Sequence, residues 1–133
     1  MAAGLTPIYV LTPRAPVVNF ATANTARDGT GTIATLMVAG ANGSYVRSVR
    51  VQATVTTTAG VVRVFRRVSA GTWRLLREIL VTAATPSTTV EAWSAEWTGP
   101  NGNGIVLSAT DELGVATNNA EAMNAHAEGG GDY

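Results

Sequence analysis

Short stretches in which apolar and polar residues alternate, each cut off by Gly, Asn or Pro, leave this chain little room for anything but strands. In GSYVRSVRVQATVTTTAG, residues 43 to 60, Val49, Val51, Ala53 and Val55 fall on one face and Arg50, Gln52 and Thr54 on the other. The same character recurs in APVVNFATAN (15 to 24), TIATLMVA (32 to 39), GVVRVFRRV (60 to 68), TTVEAWSAEW (88 to 97), IVLSAT (105 to 110) and the terminal AEAMNAHA. TWRLLREILVT (72 to 82) could make two helical turns by composition, but its flanking valines and threonines and its place between strands favour a strand. DELGVATNN is less regular, and the chain closes on the glycine run GGGDY. Eight candidate strands at short spacing predict an all-β fold, an antiparallel sandwich of jelly-roll type. The sandwich occupies 15–133 as one domain, and 1–14 forms an extended N-terminal arm, with Pro7 and Pro13 spacing two Leu-Thr-Pro repeats.

Charge divides along the chain. All nine arginines lie within residues 1 to 77 with one acid, Asp28, while residues 78 to 133 hold eight acids and no base, and lysine is absent throughout. Two readings stand. Strands from the two halves neutralise each other within one copy, or part of the complementarity steers one copy onto the next. Guanidinium forks suit either, and GC-rich coding would also favour arginine. The second reading makes Arg47, Arg50, Arg63, Arg66 and Arg67 interface residues, joined by the apolar arm residues Leu5, Ile8, Tyr9, Val10 and Leu11, which need cover from their own domain or a neighbour.

No chemistry assembles from the remaining motifs. Zero cysteines and the single His126 leave no thiolate or histidine cluster, so neither a metal nor a cofactor is expected. GTGTIA, residues 29 to 34, has the letters of a dinucleotide fingerprint, but a β-branched run follows it where a helix is needed; it reads as a turn, with Arg27 and Asp28 as a local ion pair. Asn42-Gly43-Ser44 and NGNG (101 to 104) read as turns rather than a glycan acceptor or a calcium loop. His126 has no nucleophile elbow beside it, Glu91 and Glu96 read as a polar rim, and Asp111 and Glu112 point to opposite faces of a strand. The basic run Arg63, Arg66, Arg67 with Phe65 is too poor in aromatics for a nucleic-acid-binding sheet. Trp93 and Trp97 share one face as core; with Trp73 on an exposed face, the alternative is a carbohydrate-binding module. The N-terminal stretch lacks the basic start and unbroken apolar run of a signal peptide, and no segment approaches the roughly 20 apolar residues of a membrane span, so no membrane partner is expected.

Three segments, NTARDGTGTIATLMVAGANGSYVRSVRVQATVTTTAGVVRVF, WRLLREILVTAATPSTTVEAW and AEAMNAHAEGGGDY, resemble a family of small virion proteins of tailed bacteriophages over residues 18 to 133. The resemblance implies a non-enzymatic protein located in the virion: a capsid decoration or cement protein binding the major capsid protein and copies of itself, a trimer among the options, or else a neck, tail or fibre accessory protein. It carries over no catalytic residue.

Overall fold

A computed structural model describes residues 10 to 133. Twelve strands follow one another: β1 (Thr12–Arg14), β2 (Val17–Phe20), β3 (Ala34–Val38), β4 (Ser44–Val46), β5 (Ser48–Ala53), β6 (Gly60–Arg67), β7 (Arg74–Val81), β8 (Ser94–Trp97), β9 (Ile105–Leu107), β10 (Glu112–Thr117), β11 (Met123–Glu128) and β12 (Gly130–Asp132). They form three four-stranded sheets, ordered β1-β12-β4-β9, β2-β11-β5-β8 and β3-β10-β6-β7. Every strand pairing is antiparallel.

Eight strands were expected and twelve are present: β1, β10 and β12 form where no strand was expected, and the stretch from 43 is split into β4 and β5. Four runs of chain are each broken once, and the broken halves line up in the same order in two sheets. The breaks fall at Ala15-Pro16, at Arg47, at Gly129 and across Thr98 to Gly104, so a single crease divides what would otherwise be one long sheet. Pro16 has no N–H to give a ladder, and its carbonyl accepts from the Ala127 N–H at 3.0 Å. Gly129 turns with φ of 74°, and a Cβ there would sit 2.7 Å from Arg47 Nε.

Alternation on β5 is as the sequence predicts: Val49, Val51 and Ala53 are buried while Arg50 and Gln52 lie on the opposite face. Val55 falls beyond the strand and is 39% exposed. Met123 and Ala125 of neighbouring β11 extend this face, and against it pack Val62 and Val64 of β6, Leu113 and Val115 of β10 and Leu36 of β3. Burying a Val or Leu side chain contributes about 1.5 to 3 kcal/mol each, so this two-layer core is the main stabilising element. TWRLLREIL is strand β7, as expected from its surroundings.

Two segments outside the eight expected strands are strands, the less regular DELGVATNN and the glycine run. β10 is buried at all six positions, because Phe65, Trp73, Ala116 and Ile33 form a second apolar cluster on the far side of its sheet. Gly114 leaves room for that cover: a Cβ there would meet Ile33 Cγ2 at 2.6 Å and Trp73 Cη2 at 2.9 Å. The glycine run is β12, paired on both sides by β1 and β4. Thr12–Arg14, the end of the expected arm, is thus paired within a sheet.

Candidate assembly surfaces

The arginines find their acids inside the chain. Each of the six ion pairs among the described residues joins an arginine from residues 1 to 77 to an acid from residues 78 to 133. Strand register does the matching. Arg63 lies opposite Glu78 and Arg67 opposite Glu112, and their side chains meet at 3.0 and 2.8 Å. Arg66 reaches Asp111 at 2.7 Å, Arg50 reaches Glu128 at 3.2 Å, and Arg14 reaches Asp132 at 3.1 Å. Arg27 turns to Glu78 at 2.8 Å instead of to Asp28, whose carboxylate accepts from the Thr30 hydroxyl and N–H. The expected local pair is replaced because β7 brings a carboxylate within reach and the Thr30 donors already hold Asp28.

Arg63 was expected at an interface, and its surroundings argue otherwise. Its side chain is 2% exposed; Nε donates to Glu78, Nη1 to the Asn24 carbonyl at 3.0 Å, and both terminal nitrogens to Asn118 Oδ1 at 3.3 Å. Nothing of that guanidinium is left for a second copy. Arg67 is clamped by both oxygens of Glu112 and lies 4.2 Å over the Trp73 ring, which a cation favours electrostatically. Arg50 and Arg66 are more open, and Arg47 is exposed at the crease with no carboxylate within 4.0 Å among the described residues. Leu5, Ile8 and Tyr9 lie outside the described residues. Val10 leans over Gly131, and Leu11 is 77% exposed while its N–H donates to the Asp132 carbonyl at 2.8 Å.

The residues weighed for chemistry are dispersed or occupied. His126 stands on the outer face of β11, opposite Val17 and Arg50. Asp111 accepts from Arg66 and from the Ser108 N–H, whereas Glu112 serves Arg67, so these adjacent carboxylates answer to different partners. Among the described residues, no three His, Cys, Asp or Glu side chains converge as a metal site. Trp73 and Trp93 are each 9% exposed, and Trp97 packs partly buried on the main core to which Trp93 belongs. GTGTIA is a loop cradled by Asn24, whose amide donates to the carbonyls of Thr30 and Thr32. The NGS and NGNG stretches turn on positive-φ Gly43, Gly102 and Gly104.

The carboxylates in these pairs give the fold an acid limit. Glu78 is held below the usual range by hydrogen bonds from Arg27 and Arg63, Glu112 by Arg67 and the Ala70 N–H, and Asp132 by the Ser44 hydroxyl and Arg14, each against an opposing push from burial. A carboxylate whose folded pKa is depressed stabilises the native state fully above its unfolded pKa, and that contribution fades as pH falls through the folded value. Urea midpoints should therefore stay level down to the ordinary carboxylate range, near 4.5 for Glu and 3.8 for Asp, and drop below it. A midpoint that rises as pH is lowered below 4 would contradict these pairings.

The sequence reading passes over Arg74 and Arg77, whose status depends on which strand is an edge. β7 pairs only with β6, and β8 only with β5. Arg74 and Arg77 on β7, and Glu91 and Glu96 at β8, are exposed and have no ion-pair partner among the described residues.

No family model and no curated protein matches this chain. Among solved structures, it is similar to a chain in the structure of infectious bursal disease virus strain Gx, with 13% identity over 97% of this chain, 38% of that chain and a TM-score of 0.30. A crystal structure of the T13 viral particle of the same virus gives 16% identity over 97% of this chain, 36% of that chain and a TM-score of 0.31. The chain thus spans little more than a third of the chains it resembles. These structures correct the resemblance to tailed-bacteriophage proteins, since both belong to a different virus, and that attribution is withdrawn.

Proposed function

We propose that this protein is a non-enzymatic structural component of a viral particle, an eight-stranded jelly roll that packs against other particle proteins and against copies of itself. Strand order is the observation that carries the reading. Taken across the crease, the chain makes eight runs, and the two layers order them first-eighth-third-sixth and second-seventh-fourth-fifth. That is the double Greek key of jelly rolls, an architecture used by viral capsid and lectin domains. Fold alone does not choose between those uses. The tryptophans weigh against a lectin use: a sugar platform needs an exposed indole face, whereas Trp73 lies under Arg67, Trp93 is in the core and Trp97 is partly buried against it. Within the structural reading, the finer role is decoration or cementing of a shell, bound to its major capsid protein.

Locating the protein tests this directly. Particles purified by density gradient should contain it in a fixed ratio to the main shell protein, and a reconstruction of the particle should show density for a two-layer β domain at its position. Its absence from washed particles, or a tryptophan fluorescence change on titration with glycans, would sink the structural reading.

A further inference from the structure

We infer that the margin formed by β7 and β8 is a self-association surface whose occupant is a second copy of this chain, placed so that β7 of each copy faces β8 of the other. The inference rests on the self-packing role proposed above and names the surface that would perform it. At one side of the sandwich β3 packs on β2 and β11. Given the two sheet orders, the opposite margins, β7 and β8, therefore share the other side. Both are free edges among the described residues, and β7 runs for eight residues from Arg74 to Val81. A long open edge offers a row of unpaired backbone groups and invites a partner unless something prevents it.

Charge says which partner fits. Six of the nine arginines and five of the nine acids are ion-paired within the chain. Of the unpaired acids, Asp28 is held by Thr30 and Glu121 by Thr58, which leaves Glu91 and Glu96 without a hydrogen-bond donor among the described residues. Glu96 stands on β8 and Glu91 in the segment just before it, while two of the three unpaired arginines, Arg74 and Arg77, stand on β7. This margin thus carries two free cations on β7, one free anion on β8 and a second just before it. A twofold axis through it brings the cations of each copy onto the anions of its mate, as an isologous contact requires. Leu80 at 69% and Leu75 at 37% exposure supply apolar contact on β7, and Val90 at 49% lies in the segment that leads to β8. At the Arg74 end a cleft of about 510 Å³ opens beside Val68, Leu75 and Leu76.

Sedimentation of the full chain over a range of concentrations tests this. The wild type should form a dimer that weakens at least tenfold as salt rises from about 0.05 to 0.5 M, where screening shortens to a few Å. Arg74→Glu with Arg77→Glu, and separately Glu91→Arg with Glu96→Arg, should each be monomeric while keeping wild-type circular dichroism. Mixing the two variants should restore a dimer, because both contacts in the mixed pair are again between opposite charges. A wild type that stays monomeric at every concentration, or a dimer indifferent to either charge reversal, overturns the proposal. So does a mixture that fails to associate; aggregation of Arg74→Ala with Arg77→Ala from a monomeric parent would show instead that these arginines only guard the edge. Particle incorporation is read separately: a dimer absent from particles refutes the virion role and leaves this surface standing.

Discussion

Replacing Arg63 with alanine should lower the stability of the domain by about 3 kcal/mol, the range expected when one member of a buried charged network is removed. The loss has three parts. Glu78 keeps Arg27 but loses a partner at 3.0 Å, the Asn24 carbonyl loses its 3.0 Å donor from that guanidinium, and Asn118 Oδ1 is left with no donor among the described residues. A buried acceptor left unpaired costs about 1 to 3 kcal/mol, which is why truncation outweighs the worth of any one bond. With a urea slope of about 1 to 3 kcal/mol per M, the midpoint should fall by about 1 to 3 M. Arg63→Lys should recover only part of this, since an ammonium cannot reach three separate acceptors in the geometry of a planar fork. Arg50→Ala is the comparison: its pair with Glu128 is 36% exposed on both sides, and such pairs contribute about 0 to 1 kcal/mol. Equal losses for Arg63→Ala and Arg50→Ala would refute the claim that this network ties β6, β7 and the segment around Asn24 together.

The reach of sequence reading follows from where the side chains are covered. β5 declared itself because one of its faces is polar, so period-two alternation survives in the letters. β10 has apolar cover on both faces, and Gly114, Ala116 and Glu112 then read as irregular although each is buried. The division of charge between the two halves pointed to pairing across them, but the partners depended on the registers of β6 with β7 and β10, which composition does not contain. One signal of the crease was present. In YVRSVRV the buried valines step from Val46 to Val49 and then to Val51, a slip of one in the alternation that marks the break at Arg47. The β7 and β8 margin had no such mark, because an arginine on an edge strand and one on an inner strand look alike until the strand order is known.

A second large loss should come from a single methyl group, in Gly130→Ala. β12 was not among the expected strands because GGGDY has almost no side chains, and the structure gives the reason: the strand runs so close to its neighbours that side chains do not fit. A Cβ on Gly130 would fall on the Tyr45 carbonyl and within 3.1 Å of Val46 Cα. One on Gly131 would fall on the Thr12 carbonyl and 2.7 Å from Val10 Cγ1. Gly130 has no positive φ, so alanine suits its backbone, and the whole effect must come from that close approach. Overpacking against flexible side chains costs about 1 to 3 kcal/mol; here backbone must move, and β12 holds β1 and β4 in one sheet, so about 3 kcal/mol or more is expected. Gly102→Ala separates the two causes. There φ is +73° but the nearest atom is Thr98 Oγ1 at 3.7 Å, so only the left-handed backbone matters, at about 1 to 2 kcal/mol. Hydrogen exchange should localise the difference: in Gly130→Ala the amides of Tyr45 and Val46 should lose protection before those of β5 and β6, because the β1-β12-β4-β9 sheet opens first. If Gly130→Ala proves as stable as Gly102→Ala, the close packing of β12 between β1 and β4 is wrong.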